Sequence, residues 1–421
     1  MKRFSRFAAL NYRDFRLLWF GQLVSTLGSQ MQQAAVSWHI FTLLQGQRHT
    51  LHVLGRTFDI GVDALGLGAL GLVRVVPIVV FALLGGMLAD AIDRRRLMMW
   101  TQSTAALLAF MLAFFTFSGR VNVLTIYLLT AALAATSAFD NPARQSLVPN
   151  LVPREHLANA ISLNTLLWQI GTILGPALAG VLIARSNIGW VYAVNALSFG
   201  AVLIALWRMH YRGRAAVDLS GLTLDAFLEG VRFTYRTRLI WSTMLLDFFA
   251  TFFSSARTML PLVASEILHV GPTGYGILAT AQAVGALIAG LVLSLRRQIR
   301  HQGLVLLSSV AVYGAATAFF GLSTVFWLSY LFFALTGAAD TVSTVIRGTL
   351  RQVLTPDHLR GRMTSVNMVF FMGGPQLGEL EAGLVASWLG VSFAIVSGGL
   401  ATVLLTLWVA WKYPALRRYD G

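Results

Sequence analysis

Apolar stretches of about 20 to 28 residues, separated by short polar turns, run through the whole chain. Each can span ~30 Å of hydrocarbon as a helix rising about 1.5 Å per residue. We place about twelve, near residues 17–44, 63–89, 97–118, 121–139, 159–184 and 189–209. The second set lies near 239–265, 273–295, 302–321, 324–345, 363–387 and 389–411. A soluble domain built on buried helices needs polar faces at helical spacing, and Leu97–Phe117 and Leu389–Trp411 are expected to have none. With 56% hydrophobic and 12% charged residues, the chain sits far from ordinary soluble usage. The expected class is an all-α membrane protein.

A net charge of +15 raises the question of nucleic acid. The distribution answers it. With the N-terminus inside, Lys and Arg gather in alternate turns, and Arg48, Arg56, Arg120 and Arg185 fall on the far side. Arg74 and Arg257 lie within spans. The positive-inside rule accounts for the basicity, places both termini in the cytoplasm of a bacterial inner-membrane protein, and removes nucleic acid from the expected partners. Cysteine is absent, so no disulfide framework, thiolate metal site or Cys nucleophile is available. No metal or cofactor is expected. The first apolar stretch is too long for a cleavable signal, and the run from Asn11 to Arg16 before it reads as an interfacial anchor.

The longest polar interruption, from Arg208 to Arg238, holds Arg212, Gly213 and Arg214. Beyond them Leu222, Phe227, Leu228 and Val231 recur at helical spacing, which predicts an amphipathic helix on the cytoplasmic surface. This divides the chain into a six-helix bundle at 1–209, a linker at 210–238 and a second bundle at 239–421. An internal repeat supports the division. At an offset of 203 residues Arg144 meets Arg347 and Pro153 meets Pro356, with His156 and Leu157 within one residue of His358 and Leu359. In the same register Gly171, Gly175 and Gly180 fall on Gly374, Gly378 and Gly383. Two copies of a six-helix unit around a midplane cavity suit alternating access.

Several segments then resemble a known family over essentially the whole length. The turn after the second span, Gly85 to Arg96 with Gly86, Asp90, Asp93, Arg94 and Arg95, resembles the loop signature of the major facilitator superfamily. Gly171, Gly175, Pro176 and Gly180 resemble the glycine-rich motif of its antiporter branch. The opening Asn11-Tyr12-Arg13-Asp14-Phe15-Arg16 and the segment Asp140 to Arg144 resemble the exporter subgroup that contains enterobactin and macrolide exporters. The resemblance implies twelve helices in two pseudo-symmetric bundles, with the loop acting as a cytoplasmic gate. Ala91 stands where the family has Arg and Asp93 where it has Gly, so the latch is expected to use Asp93–Arg contacts. Gly374, Pro375 and Gly378 form the matching helix break in the second half.

Charged residues inside hydrocarbon are costly, which makes them functional candidates. Arg74 lies about 16 Å into the second span and Asp247 about 12 Å into the seventh. Asp247 is the first choice for a protonatable coupling group, with Glu379, Glu381 and Asp340 behind it. Arg74 is expected to hold an anionic substrate or to serve as the charge that Asp247 meets and leaves. A structural ion pair explains the same residues. Asp340 is expected near Arg347 or Arg351. Glu379 and Glu381, two residues apart, cannot face one cavity together. Gln30, Gln33, Asn164, Gln169 and Arg257 complete the candidate cavity.

The functional expectation is a secondary active exporter of an amphipathic small molecule such as a siderophore or drug, driven by protons and surrounded by membrane lipid. A single chain of this kind supplies a complete pathway as a monomer. Uptake, lipid translocation and a non-transporting receptor are the alternatives. No nucleophile elbow, zinc-protease motif or phosphate loop occurs, so an enzyme is not expected.

Overall fold

The computed structural model describes residues 5–53, 56–211, 224–295, 299–356 and 359–420. The side chains of 5–6, 51–53, 56–59, 82–91, 224–227, 230, 361, 365 and 369 lie outside that description. Arg212, Gly213, Arg214, Leu222 and His358 are therefore not described, nor are the side chains of Gly86, Asp90 and Phe227.

The order is α1 (Arg13–Leu44), β1 (Arg48–Val53), β2 (Arg56–Gly61), α2 (Val62–Ala91), α3 (Arg94–Phe117) and α4 (Val123–Leu147). There follow α5 (Leu157–Arg185), α6 (Gly189–Arg208), α7 (Leu224–Arg236), α8 (Arg238–Phe253), α9 (Leu260–Leu262) and α10 (Gly271–Leu278). The chain ends with α11 (Ala281–Leu295), α12 (Gln302–Leu322), α13 (Phe326–Leu354), α14 (Arg360–Leu389), α15 (Val391–Lys412) and α16 (Pro414–Arg417).

Among the described residues ten helical stretches are long and apolar enough to cross a membrane. The other two expected spans are α1 and α14, of 32 and 30 residues. Their length suffices. What lowers their hydropathy is Arg13, Asp14, Arg16 and several glutamines on α1, and Arg360, Arg362, Glu379 and Glu381 on α14. The long helices turn large apolar side chains outward, as only a lipid environment allows. On α3 these are Trp100, Leu107, Phe110 and Phe114, on one helical face; on α15 they are Leu400, Leu404, Leu407 and Trp411.

Three features depart from the expectation. Residues 48–53 and 56–61 form two antiparallel strands rather than a loop, with Arg48 opposite Gly61 and Val53 opposite Arg56. The Val62 N–H donates to the Gln47 carbonyl at 3.1 Å and closes their base. The seventh span is also interrupted. Helix α8 stops at Phe253, a 3-10 turn covers Ala256–Met259, and a π-turn covers Val263–Ile267. Pro261 removes a backbone donor there, and Ser254 at the end of α8 lies 2.8 Å from the Thr402 hydroxyl instead of continuing the helix. The eighth span is split between α10 and α11, where the Thr280 and Tyr330 hydroxyls meet at 3.1 Å.

Two compact units result. One comprises Met1–Leu43, Val73–Leu219 and Pro272–Ile277; the other comprises Leu44–Leu72, Ser220–Gly271 and Leu278–Gly421. The first is centred on Phe15, Leu18, Met98, Leu147 and Leu206, the second on Ile240, Met244, Leu306, Ile346 and Leu350, all buried. Each unit borrows a short segment from the other half of the sequence.

Candidate functional site

The second unit holds a buried charge cluster. Asp247 on α8 is 7% exposed and Arg347 on α13 is 3% exposed. The two form an ion pair. Arg347 also lies 3.6 Å from the half-exposed carboxylate of Asp340. Its Nη2 donates to the Thr344 hydroxyl at 2.9 Å and its Nε to the Ser343 carbonyl at 3.3 Å. Asp340, Ser343, Thr344, Arg347 and Arg351 follow one another at helical spacing, so one stripe of α13 carries the polar chemistry. A cavity with room for about one water-sized molecule opens beside the pair, lined by Asp247, Thr251, Tyr313, Asp340, Ser343 and Arg347. One cation thus serves two acids. Protonating either acid leaves Arg347 to the other.

The charge that Asp247 meets is Arg347, not the expected Arg74. Hydropathy falls at residue 345, the expected end of the tenth span, but α13 continues to Leu354 and carries Arg347 inward. Arg74 lies half-buried on α2, in the first unit. The first unit has its own buried acid, which is not among the candidates that the sequence points to. Asp140, 7% exposed, accepts hydrogen bonds from the Thr101 hydroxyl at 2.7 Å and the Gln102 amide at 2.9 Å. Helix α3 therefore has a short polar face after all. Arg144 lies 3.9 Å from Asp140, with its guanidinium carbon 5.5 Å from the centre of the Trp168 ring. The signal was available, because Arg144 and Arg347 share the repeat register.

The glycines of that register do the same thing in both units. A Cβ on Gly171 would meet Thr26, and one on Gly175 would meet Gln30, both on α1. A Cβ on Gly374 would meet Thr251 and the Phe248 backbone, and one on Gly378 would meet Phe252, all on α8. One turn further on, Gly180 crosses Gly276 of α10 in the first unit, and Gly383 crosses Gly68 of α2 in the second. At these crossings a Cβ on Gly180 would stand 2.8 Å from the Gly276 Cα, and one on Gly383 2.6 Å from the Gly68 Cα. Only glycine on both sides lets the backbones approach so closely. Pro176 and Pro375 lie inside α5 and α14 beside these contacts.

At the arginine-rich end of the first unit, Asp93 caps α3. Its carboxylate accepts the backbone N–H groups of Arg95 at 2.9 Å and Arg96 at 3.3 Å. The guanidinium groups go elsewhere: Arg94 donates to the Ser146 carbonyl at 3.0 Å and Arg95 to the Trp207 carbonyl at 2.9 Å. Both carbonyls belong to last turns, of α4 and α6, where helix dipoles attract cations. The expected Asp93–guanidinium latch is thus replaced by a cap and two helix-end clamps.

The remaining candidates are dispersed. Gln30 is buried against Gly175, whereas Gln33 is exposed on α1. Gln32, on the same helix, accepts from Asn195 at 2.7 Å and is structural. Asn164 and Gln169 are half-buried on α5, and Arg257 is exposed in the turn after α8. Glu379 is half-buried on α14, with its Cβ beside Gly71, and Glu381 is half-buried two residues on. The phenylalanines next to Asp247 pack the helix interface: Phe248 stacks on Phe252 at 6.2 Å and meets Phe370 edge-on at 5.9 Å.

Comparison with known proteins gives a consistent picture. A family profile described as transmembrane secretion effector matches residues 4–420. The enterobactin exporter EntS of Citrobacter koseri is 29% identical over 331 residues, covering 77% of this chain and 78% of its own. The staphyloferrin A transporter of Staphylococcus aureus is 26% identical over 390 residues, covering 90% and 91%. Among solved structures, a bacterial homologue of the human lysosomal transporter Spinster superposes with a TM-score of 0.70 at 16% identity, covering 97% of both chains. A bacterial homologue of the iron transporter ferroportin gives 0.66 at 18%, covering 95% and 98%. At such identities these structures establish the fold.

Proposed function

The chain belongs to the transmembrane secretion effector family of the major facilitator superfamily, and from that premise we propose that it is a proton-driven exporter of an amphipathic small molecule, a siderophore above all. It is a multi-pass membrane transporter. The cargo class rests on relatives named as an enterobactin exporter and a staphyloferrin A transporter. Proton coupling rests on one observation, the sharing of buried Arg347 between Asp247 and Asp340.

An ionised side chain deep in hydrocarbon is tolerated when a counter-charge accompanies it. With two acids and one guanidinium, a proton arriving at Asp247 frees Arg347 toward Asp340, and its departure restores the original pair. A site with two discrete pairings couples proton occupancy to the relative position of α8 and α13. Arg351, one turn beyond Arg347 on α13, adds a second cation to this stripe. In this reading the bacterial inner membrane supplies the proton gradient, both termini face the cytoplasm, and the two six-helix halves expose the cargo site alternately.

The test is transport in proteoliposomes under an imposed pH gradient, with catecholate and carboxylate siderophores as cargo. Asp247→Asn is expected to abolish gradient-driven movement while leaving cargo binding measurable. Full gradient-driven transport by that variant would overturn the coupling assignment. Movement of lipid or inward cargo flux alone would overturn export.

A further inference from the structure

We propose that α7 is a docking surface for anionic phospholipid headgroups, whatever the cargo. The outward face of this helix is built in two strips. Leu228, Val231 and Tyr235, spaced i, i+3 and i+7, share one face and are all exposed. Arg232 and Arg236 follow alongside at i+4 and i+8 from Leu228, both exposed, and exposed Arg238 opens α8. The opposite edge is tied to the protein. Phe233 packs against the core of the second unit, and Thr234 is 1% exposed.

The location decides what such a face meets. A single residue, Thr237, separates α7 from the membrane span that begins with α8, and the Trp241 N–H donates to the Thr237 carbonyl at 3.0 Å. The helix therefore leaves the protein at headgroup depth. Trp241 and Tyr235 meet edge-on at 5.4 Å, an aromatic pair of the kind that anchors at the interface. An apolar strip there inserts among acyl chains while neighbouring arginines meet phosphate. Among the described side chains of this face the acid, Glu229, is already held by Arg362 of α14, so it does not cancel the arginines. That ion pair also links the lipid-facing helix to the start of α14, the helix that carries Gly374 and Gly378.

The chain has no cysteine, so single labels can be introduced without background. Full-length Leu228→Cys and Tyr235→Cys proteins carrying a nitroxide are reconstituted in phosphatidylcholine vesicles with and without phosphatidylglycerol, and oxygen is compared with a water-soluble nickel chelate as relaxant. Phosphatidylglycerol is expected to shift both labels toward oxygen access. Adding Arg232→Gln and Arg236→Gln should remove the shift, whereas Arg→Lys at both sites should keep it. Each arginine is expected to change the docked-to-undocked ratio about fivefold at low salt, an effect that fades as salt screens it. Protein without label provides a second readout: phosphatidylglycerol retained through gel filtration falls in the double glutamine variant. Water-like labels in both vesicles, a depth indifferent to lipid charge, or spin–spin broadening from a second copy would each overturn the proposal.

Discussion

Replacing Arg347 with methionine isolates Asp247 inside the second unit. The acid is 7% exposed and has lost the cation it pairs with, while methionine keeps much of the stem volume. Stranding one member of a buried pair costs ~3–5 kcal/mol. The bonds from Arg347 to Thr344 and Ser343 disappear as well, each worth about 1 kcal/mol. Asp247→Asn is gentler, because Arg347 retains Asp340 at 3.6 Å. Removing both charges with Asp247→Asn and Arg347→Met together deletes the desolvation cost with the attraction, so the double variant should recover to within about 2 kcal/mol of the parent. For a chain of 421 residues, ~3–5 kcal/mol corresponds to a fall of about 3–6 °C in apparent Tm. The assay is tryptophan fluorescence in detergent at one fixed scan rate, since unfolding of such proteins is governed by rate. The expected order of loss is Arg347→Met, then Asp247→Asn, with the double variant close to the parent. If the double variant falls by the sum of two full single losses, the pair is not energetically coupled and the reasoning fails.

Two further outcomes follow from the packing. Gly180→Ala and Gly383→Ala place a methyl against backbone, so each should destabilise by ~1–3 kcal/mol; Gly200→Ala, with open space around its Cβ, should be neutral or stabilise by up to about 1 kcal/mol. Equal Tm shifts at Gly180 and Gly200 would refute the crossing argument. Asp93→Ala should cost about 1 kcal/mol and speed amide exchange in the first turn of α3, while Asp93→Asn should preserve both, because a cap needs an acceptor oxygen and not a charge. Loss of protection in Asp93→Asn would restore the ion-pair latch.

Much of this architecture was legible because length and charge placement answer to the bilayer rather than to tertiary detail. Apolar runs had to become helices, since hydrocarbon leaves backbone groups no other partner. What stayed hidden was any feature that begins where hydropathy ends. Helix α13 continues past the apolar window, so Arg347 looked like a loop residue when it is the partner of Asp247. Leu97–Phe117 is apolar enough to suggest no polar face, yet Thr101 and Gln102 within it hold Asp140. The paired strands at 48–53 and 56–61 lie outside the spans, where the membrane constrains nothing.

The repeat shows why some site residues could be found and others could not. Gly180 and Gly383 share the register of 203, and each crosses a glycine on a helix from the opposite half. Their partners, Gly276 and Gly68, fall out of that register because the stretch from Gly68 to Gly180 is longer than the stretch from Gly276 to Gly383. Backbone contact leaves no choice of residue, so the glycines remain paired across the repeat. Charge allows substitution of one partner for another, and there the halves diverge. Arg144 has its acid four residues earlier on its own helix, whereas Arg347 takes one acid from α8 and another seven residues back. The packing of the two halves is symmetric and their charge chemistry is not, which places the sharing of one cation between two helices in the second unit alone among the described ion pairs of these two arginines.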